Sequence, residues 1–116
     1  MPEVRPISLP EVSAFLAGRG PVDSKLGTLS EHIQIYYRRG DDLSVDERSH
    51  AHRVSDEFFV VLSGSIVLDV EGEEVIVGPR QSCHFPVGVF HRIVDVFQPL
   101  EVLVIRAPSA DDKVYR

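Results

Sequence analysis

The sequence predicts an all-β domain, a sandwich or barrel of short strands. Three observations carry that expectation. From residue 28 onward, apolar runs rich in Val, Ile, Leu, Phe and Tyr recur at strand length. Glycine-bearing breaks punctuate them at Gly40, Gly64, Gly72, Gly78 and Gly88. At 116 residues the chain is long enough for one core and too short for two.

The first local signature is Ser8-Leu9-Pro10-Glu11, which fits a capping box with proline in the first turn. It predicts a short helix over residues 9–17, stopped at Gly18, with Val12, Phe15 and Leu16 against the body of the domain. Residues 19–27 read as a loop. Residues 32–38 form a strand ended by Arg39-Gly40-Asp41-Asp42. Residues 58–62 and 66–70 read as the arms of a hairpin across Ser63-Gly64-Ser65. Glu71-Gly72-Glu73 turns the chain into a strand over 75–77, which Gly78-Pro79 breaks. Phe85-Pro86-Val87-Gly88 is a further turn, residues 91–97 are extended, and 100–105 is the last strong strand. The domain division is therefore 1–27 for the N-terminal helix and loop, 28–107 for the β-barrel and 108–116 for a C-terminal tail over the surface.

Charge and composition narrow the partners. The net charge is -6 without a basic run, which argues against nucleic acid or an anionic membrane surface as partner. No apolar stretch exceeds strand length, so no transmembrane helix is expected. The start, Met1-Pro2-Glu3-Val4-Arg5, lacks an apolar signal region, and Cys83 is the single cysteine, so a reducing cytoplasm is the expected compartment.

The chemistry concentrates between His50 and His91. In a strand, residues i and i+2 share a face, so the imidazoles of His50-Ala51-His52 converge on one point. Glu57 lies an odd number of residues further on and joins them only if the chain turns between, for which Ser55-Asp56 serves. His91 follows Pro86-Val87-Gly88-Val89-Phe90. Three imidazoles and one carboxylate make a mixed N/O set suited to a divalent first-row metal.

This spacing, His50-x-His52-x4-Glu57-x6-Gly64, resembles the first motif of the cupin superfamily, and Pro86-x-Gly88-x2-His91 resembles the core of its second. The resemblance spans residues 40–107. Ser44 and Arg80 stand where the two motifs usually open with glycine, and Asp95 where the second usually ends with asparagine; all four ligand positions are filled. The resemblance implies a double-stranded β-helix, or jelly roll, in a small single-domain protein. It implies His50, His52, Glu57 and His91 as ligands of one Fe, Mn, Ni, Cu or Zn ion. It further implies a metal-dependent enzyme acting on a small polar organic molecule, dioxygenase-like in the favoured subclass, with Glu57 a ligand that also shuttles a proton. The alternatives are a cupin-type isomerase, cyclase or lyase, and a non-catalytic small-molecule binding or sensor module. By analogy with other small cupins, a homodimer is expected through an open edge at residues 28–38.

The remaining residues invite blander readings. His84 is expected to be structural or to support a ligand, and His32 structural or exposed. Cys83 reads as a small buried hydrophobe. Alternation puts Gln34, Tyr36 and Arg38 on one face, either the pocket wall or the solvent side. Asp41, Asp42, Asp46 and Glu47 read as a solvated loop.

Overall fold

In the computed structural model, which describes residues 6, 8–18, 30–40, 45–46 and 48–116, the chain is built of strands. They are β1 (Ala14–Ala17), β2 (Gln34–Arg39), β3 (His50–His52), β4 (Asp56–Val70), β5 (Glu73–Val77), β6 (Ser82–Phe85), β7 (His91–Ala107) and β8 (Lys113–Tyr115). One path runs β1-β2-β7-β3-β8, and β4 pairs with β5, β6 and β7. Every paired neighbour is antiparallel. The all-β jelly-roll expectation holds.

Two strands, β4 and β7, form the frame. They pair from Asp56↔Ala107 to Val70↔His91, with register shifts around Ser63 to Ser65 and at Val67/Leu68. The shifts change which positions face the core. Before the first, Phe59 and Val61 are buried; after it, Ile66 and Leu68 are. β7 makes the same change of parity, from Ile93 to Leu100, Val102 and Val104. With a strand period of two, only an extra residue or a bend does this. These side chains, with Val77 and Phe85, make the core.

The two arms read as a hairpin are therefore one bent strand, each arm pairing with β7. Gly64 alone of Ser63, Gly64 and Ser65 takes a left-handed conformation, φ 72°. One such residue makes a bulge, whereas a two-residue reversal of the favoured type needs positive φ at both centres. The real reversal lies at Glu71-Gly72, with φ 51° and 88°, between Val70 and Glu73 of the β4–β5 hairpin.

The helix expected over residues 9–17 is not formed. Ala14–Ala17 is a strand paired with β2, and Phe15 stacks on Tyr36 at 4.2 Å between ring centroids. A helix of that length has too little local stability to compete with a free strand edge and an aromatic pair. β2 is consequently paired on both sides, by β1 and β7, so the strand within the edge expected at residues 28–38 is not open. At the other terminus, Lys113–Tyr115, read as surface tail, pairs with β3. The loop expected over residues 19–27 lies outside the described residues.

Candidate metal centre

β3 and the start of β4 set the first three side chains. His50 and His52 are both buried on β3. A turn at Arg53 to Ser55 then separates β3 from β4, which frees Glu57 from the parity of the histidines and lets it face them. Asp112 holds that turn: its Oδ2 accepts the Val54 and Ser55 N–H groups at 2.9 and 2.8 Å, and its backbone carbonyl accepts Arg53 N–H. The fourth side chain arrives by register, because His91 on β7 sits directly opposite His50. Its ring stacks on Phe85, 3.9 Å between centroids at 13°.

The structure thus brings His50, Glu57 and His91 together, all buried, with donor atoms within 4.8 Å of one another. His91 Nε2 is 2.8 Å from Glu57 Oε1, and its Nδ1 faces the Val89 carbonyl at 3.0 Å. His52 stands beside them, its Nε2 3.4 Å from Glu57 Oε2. That nitrogen is buried and makes no hydrogen bond, while Nδ1 contacts Asp112 Oδ1 at 2.8 Å. A carboxylate on Nδ1 keeps the proton there and leaves the Nε2 lone pair free, the usual support of a ligating histidine.

Burial drives the electrostatics. Desolvation, reinforced by the nearby His91 and Lys113, pushes His50 down to about 3, so its ring is neutral at pH 7. Burial alone would raise Glu57, but the contacts with His52 and His91 and the Arg106 guanidinium outweigh it and hold the carboxyl well below its usual range. Asp112, likewise raised by burial, is brought down to about 2 by His52 and the two turn N–H groups. The neutral ring of His50 and the ionised carboxylate of Glu57 are the forms that bind a cation. With a lone pair at His52 Nε2 lacking a partner, the residues present fit a divalent metal.

Several participants were not visible as motifs. Arg106 pairs with Glu57 across the β4–β7 register and donates Nε–H to Oε2 at 2.7 Å. Its only signal in sequence is a cation ending the apolar run 100–105. Asp112 had none, lying in a segment read as tail. Asp46, assigned to a solvated loop, accepts the Ile93 N–H at 2.9 Å and lines the site. Asp41, Asp42 and Glu47 lie outside the described residues. Of Gln34, Tyr36 and Arg38, read as one face of β2, Arg38 lines the pocket, while Tyr36 packs against the core.

The other singled-out residues lie elsewhere. His84 is exposed, stacked on Phe58 and bonded to Asp56 at 2.8 Å. His32 is exposed. Cys83 is half-buried against the core, where burial pushes its thiol up to about 11.

A cavity of about 50 Å³ lies against His50, Glu57 and Arg106, with Arg38, Asp46 and Lys113 in its wall. A cleft of about 360 Å³ adjoins it, sharing Arg106 and Lys113 and bordered by His52, Asp112 and Tyr115. The centre is therefore buried but reached from a site of small-molecule size.

Comparison with known proteins agrees with this architecture. A nucleoside dehydratase from Streptomyces superposes with a TM-score of 0.63 at 17% identity, covering 78% of this chain and 73% of the other. KdgF from Halomonas sp. gives 0.61 at 21%, covering 71% and 75%. The DMSP lyase DddQ from Ruegeria pomeroyi gives 0.66 at 20%, covering 89% of this chain and 50% of the other. No curated protein sequence matches. The Cupin domain family matches residues 44–106, more than half of the sequence and the stretch that holds His50, His52, Glu57 and His91, and the chain belongs to that family.

Proposed function

We propose that the protein is a metal-dependent cupin enzyme that transforms a small polar organic molecule at a centre formed by His50, His52, Glu57 and His91. The observation that carries this reading is the buried convergence of His50, Glu57 and His91, with His52 Nε2 unpartnered beside Glu57. When bound, a divalent ion would supply Lewis-acid polarisation of a substrate oxygen, or redox chemistry if it is iron, manganese or copper.

The chain's own residues then have separable parts. Asp112 orients His52, and Phe85 orients His91. Arg106 offsets the charge of Glu57 and orients its Oε2. A carboxyl held so far below neutrality is a poor proton carrier, which favours Glu57 as a ligand over the proton-shuttle role. The adjoining cleft admits the substrate. Elimination or isomerisation is the favoured reaction class, supported by structural neighbours that include a dehydratase, a lyase and a putative sugar phosphate isomerase. Dioxygenase chemistry is the second reading, favoured by the mixed three-histidine, one-carboxylate set.

The test is elemental analysis of protein purified without metal-chelate chromatography, beside a His50→Ala/His91→Ala variant. About one equivalent of metal per chain, lost in the variant, is expected. No metal in either protein after reconstitution refutes the enzyme reading and leaves a binding module. We also propose a cytoplasmic homodimer. Since β1 ends the sheet path, its edge rather than that of β2 would face the second copy. A monomer at micromolar concentration by light scattering refutes it.

A further inference from the structure

The cavity beside the centre has an unusual charge for a chain of net charge -6. Among the described residues, three cations, Arg38, Arg106 and Lys113, line it, against two carboxylates, Asp46 and Glu57. Both carboxylates already have partners. Glu57 receives Arg106 Nε–H at 2.7 Å, and Asp46 receives the Ile93 amide. Arg38 is held in place over the Tyr36 ring, 5.3 Å from its centroid, and Lys113 is fixed in β8 by pairing with His52. A divalent ion at the centre would make the wall more positive still.

We propose that the substrate carries a carboxylate, seated in this cavity between Arg38, Lys113 and the outer edge of Arg106, with the remainder of the molecule in the adjoining cleft. Size limits the cavity to the anionic group alone. A cavity of about 50 Å³ holds a few waters, at about 10–15 Å³ each, so it takes one compact anionic group while the rest of the molecule lies outside it. Geometry favours a planar carboxylate, because the Glu57 bond uses Nε alone of the five guanidinium N–H donors of Arg106 and leaves parallel N–H groups for a two-oxygen acceptor. The cleft shares Arg106 and Lys113 with the cavity, so a molecule anchored there passes the mouth of the centre. The inference rests on the proposed function in treating this cavity as the reaction site.

The test uses the full chain, metal-free and zinc-loaded, titrated at constant ionic strength with acetate, its uncharged isostere acetamide, and inorganic phosphate. Amide resonances of the cavity wall, His50, Val104 and Lys113, report binding, and zinc content is measured separately. Saturable shifts with acetate but not acetamide are expected, weakened about tenfold in Arg38→Gln and in Lys113→Gln. Lys113 is exposed, so K113Q keeps the test open should R38Q fail to fold. Equal responses to acetate and acetamide, or acetate affinity unchanged in both variants, overturn the proposal. Tighter binding of phosphate overturns the choice of carboxylate. Acetate binding in a protein that takes up no zinc upholds this inference while removing the metal reading; zinc uptake without an acetate response does the reverse.

Discussion

Replacing Asp112 by asparagine isolates one oxygen pair on which both the β3–β4 turn and His52 depend. The carboxylate accepts His52 Nδ1–H at 2.8 Å on one oxygen and the Val54 and Ser55 N–H groups at 2.9 and 2.8 Å on the other. An amide has one oxygen, so one side must meet an NH₂ group. If the oxygen stays with the turn, the NH₂ faces His52 Nδ1, and the ring keeps a hydrogen bond only by moving its proton to Nε2, where it blocks the lone pair. If the oxygen turns to His52, two backbone N–H groups are left facing a donor. The fall of the Asp112 carboxyl from 3.8 to about 2 corresponds to about 2 kcal/mol of stability at neutral pH, which the neutral amide forfeits. For a domain of this size that is a drop in Tm of about 8 °C. Zinc affinity should fall about 10- to 100-fold, the usual effect of removing the support of a ligating histidine. Competition against a chromophoric chelator at pH 7, beside thermal melts, reads both. A D112N protein that melts lower but binds zinc as tightly as the parent would show that His52 is not a ligand oriented by Asp112. Unchanged values for both would mean the three contacts carry no net energy.

Other perturbations follow from the same geometry. Arg106→Gln should destabilise the metal-free protein by about 2 kcal/mol and the zinc-loaded protein less, because the ion then offsets Glu57; equal losses in urea titrations would refute that. Gly64→Ala should cost about 3 kcal/mol, since a Cβ there meets the carbonyl oxygens of Phe97 and Pro99 and lies 2.9 Å from Leu100 Cα, at a φ of 72°; a Tm within 3 °C or so of the parent would count against it. Metal-free stability should decline as pH falls from 6.5. The unfolded chain protonates His50 from 6.5 while the folded chain resists to about 3, and below 4.5 Glu57 and Asp112 act in the same direction, protonating in the unfolded chain before the folded one. Urea midpoints that do not move between pH 7 and pH 4 would refute this. Cys83, pushed up to about 11, should be alkylated by iodoacetamide at pH 8 far more slowly in folded than in unfolded protein, and equal rates would refute its burial.

The strands and the histidine–glutamate constellation were legible because their signals are local: alternation, glycine breaks, and ligands at fixed offsets. What was not legible depends on pairing across the chain. Arg106 matters because the register sets it opposite Glu57, 49 residues away. Asp112 matters because a segment that reads as tail returns beside β3, 60 residues from His52. The helix expectation failed for a similar reason. Nothing in residues 9–17 reveals that β2 offers an edge and Tyr36 a stacking partner. The hairpin expectation failed because Ser63-Gly64-Ser65 looks the same locally whether it reverses a strand or bulges it, and the distant β7 decides.

The matched bends of β4 and β7 make the two strands behave like paired reading frames. Deleting one residue from 63–65 would turn Ile66 and Leu68 away from the core and put the smaller Val67, now on the opposite face, in their place, while leaving Glu57, Phe59 and Val61 as they are. The core would keep Phe59 and Val61 and lose Ile66 and Leu68. A second deletion among residues 97–99, in the partner bend, is the change suited to bring the strands back into phase. Length variation at either bend is therefore tolerable only when the other compensates, as a frameshift is by its suppressor.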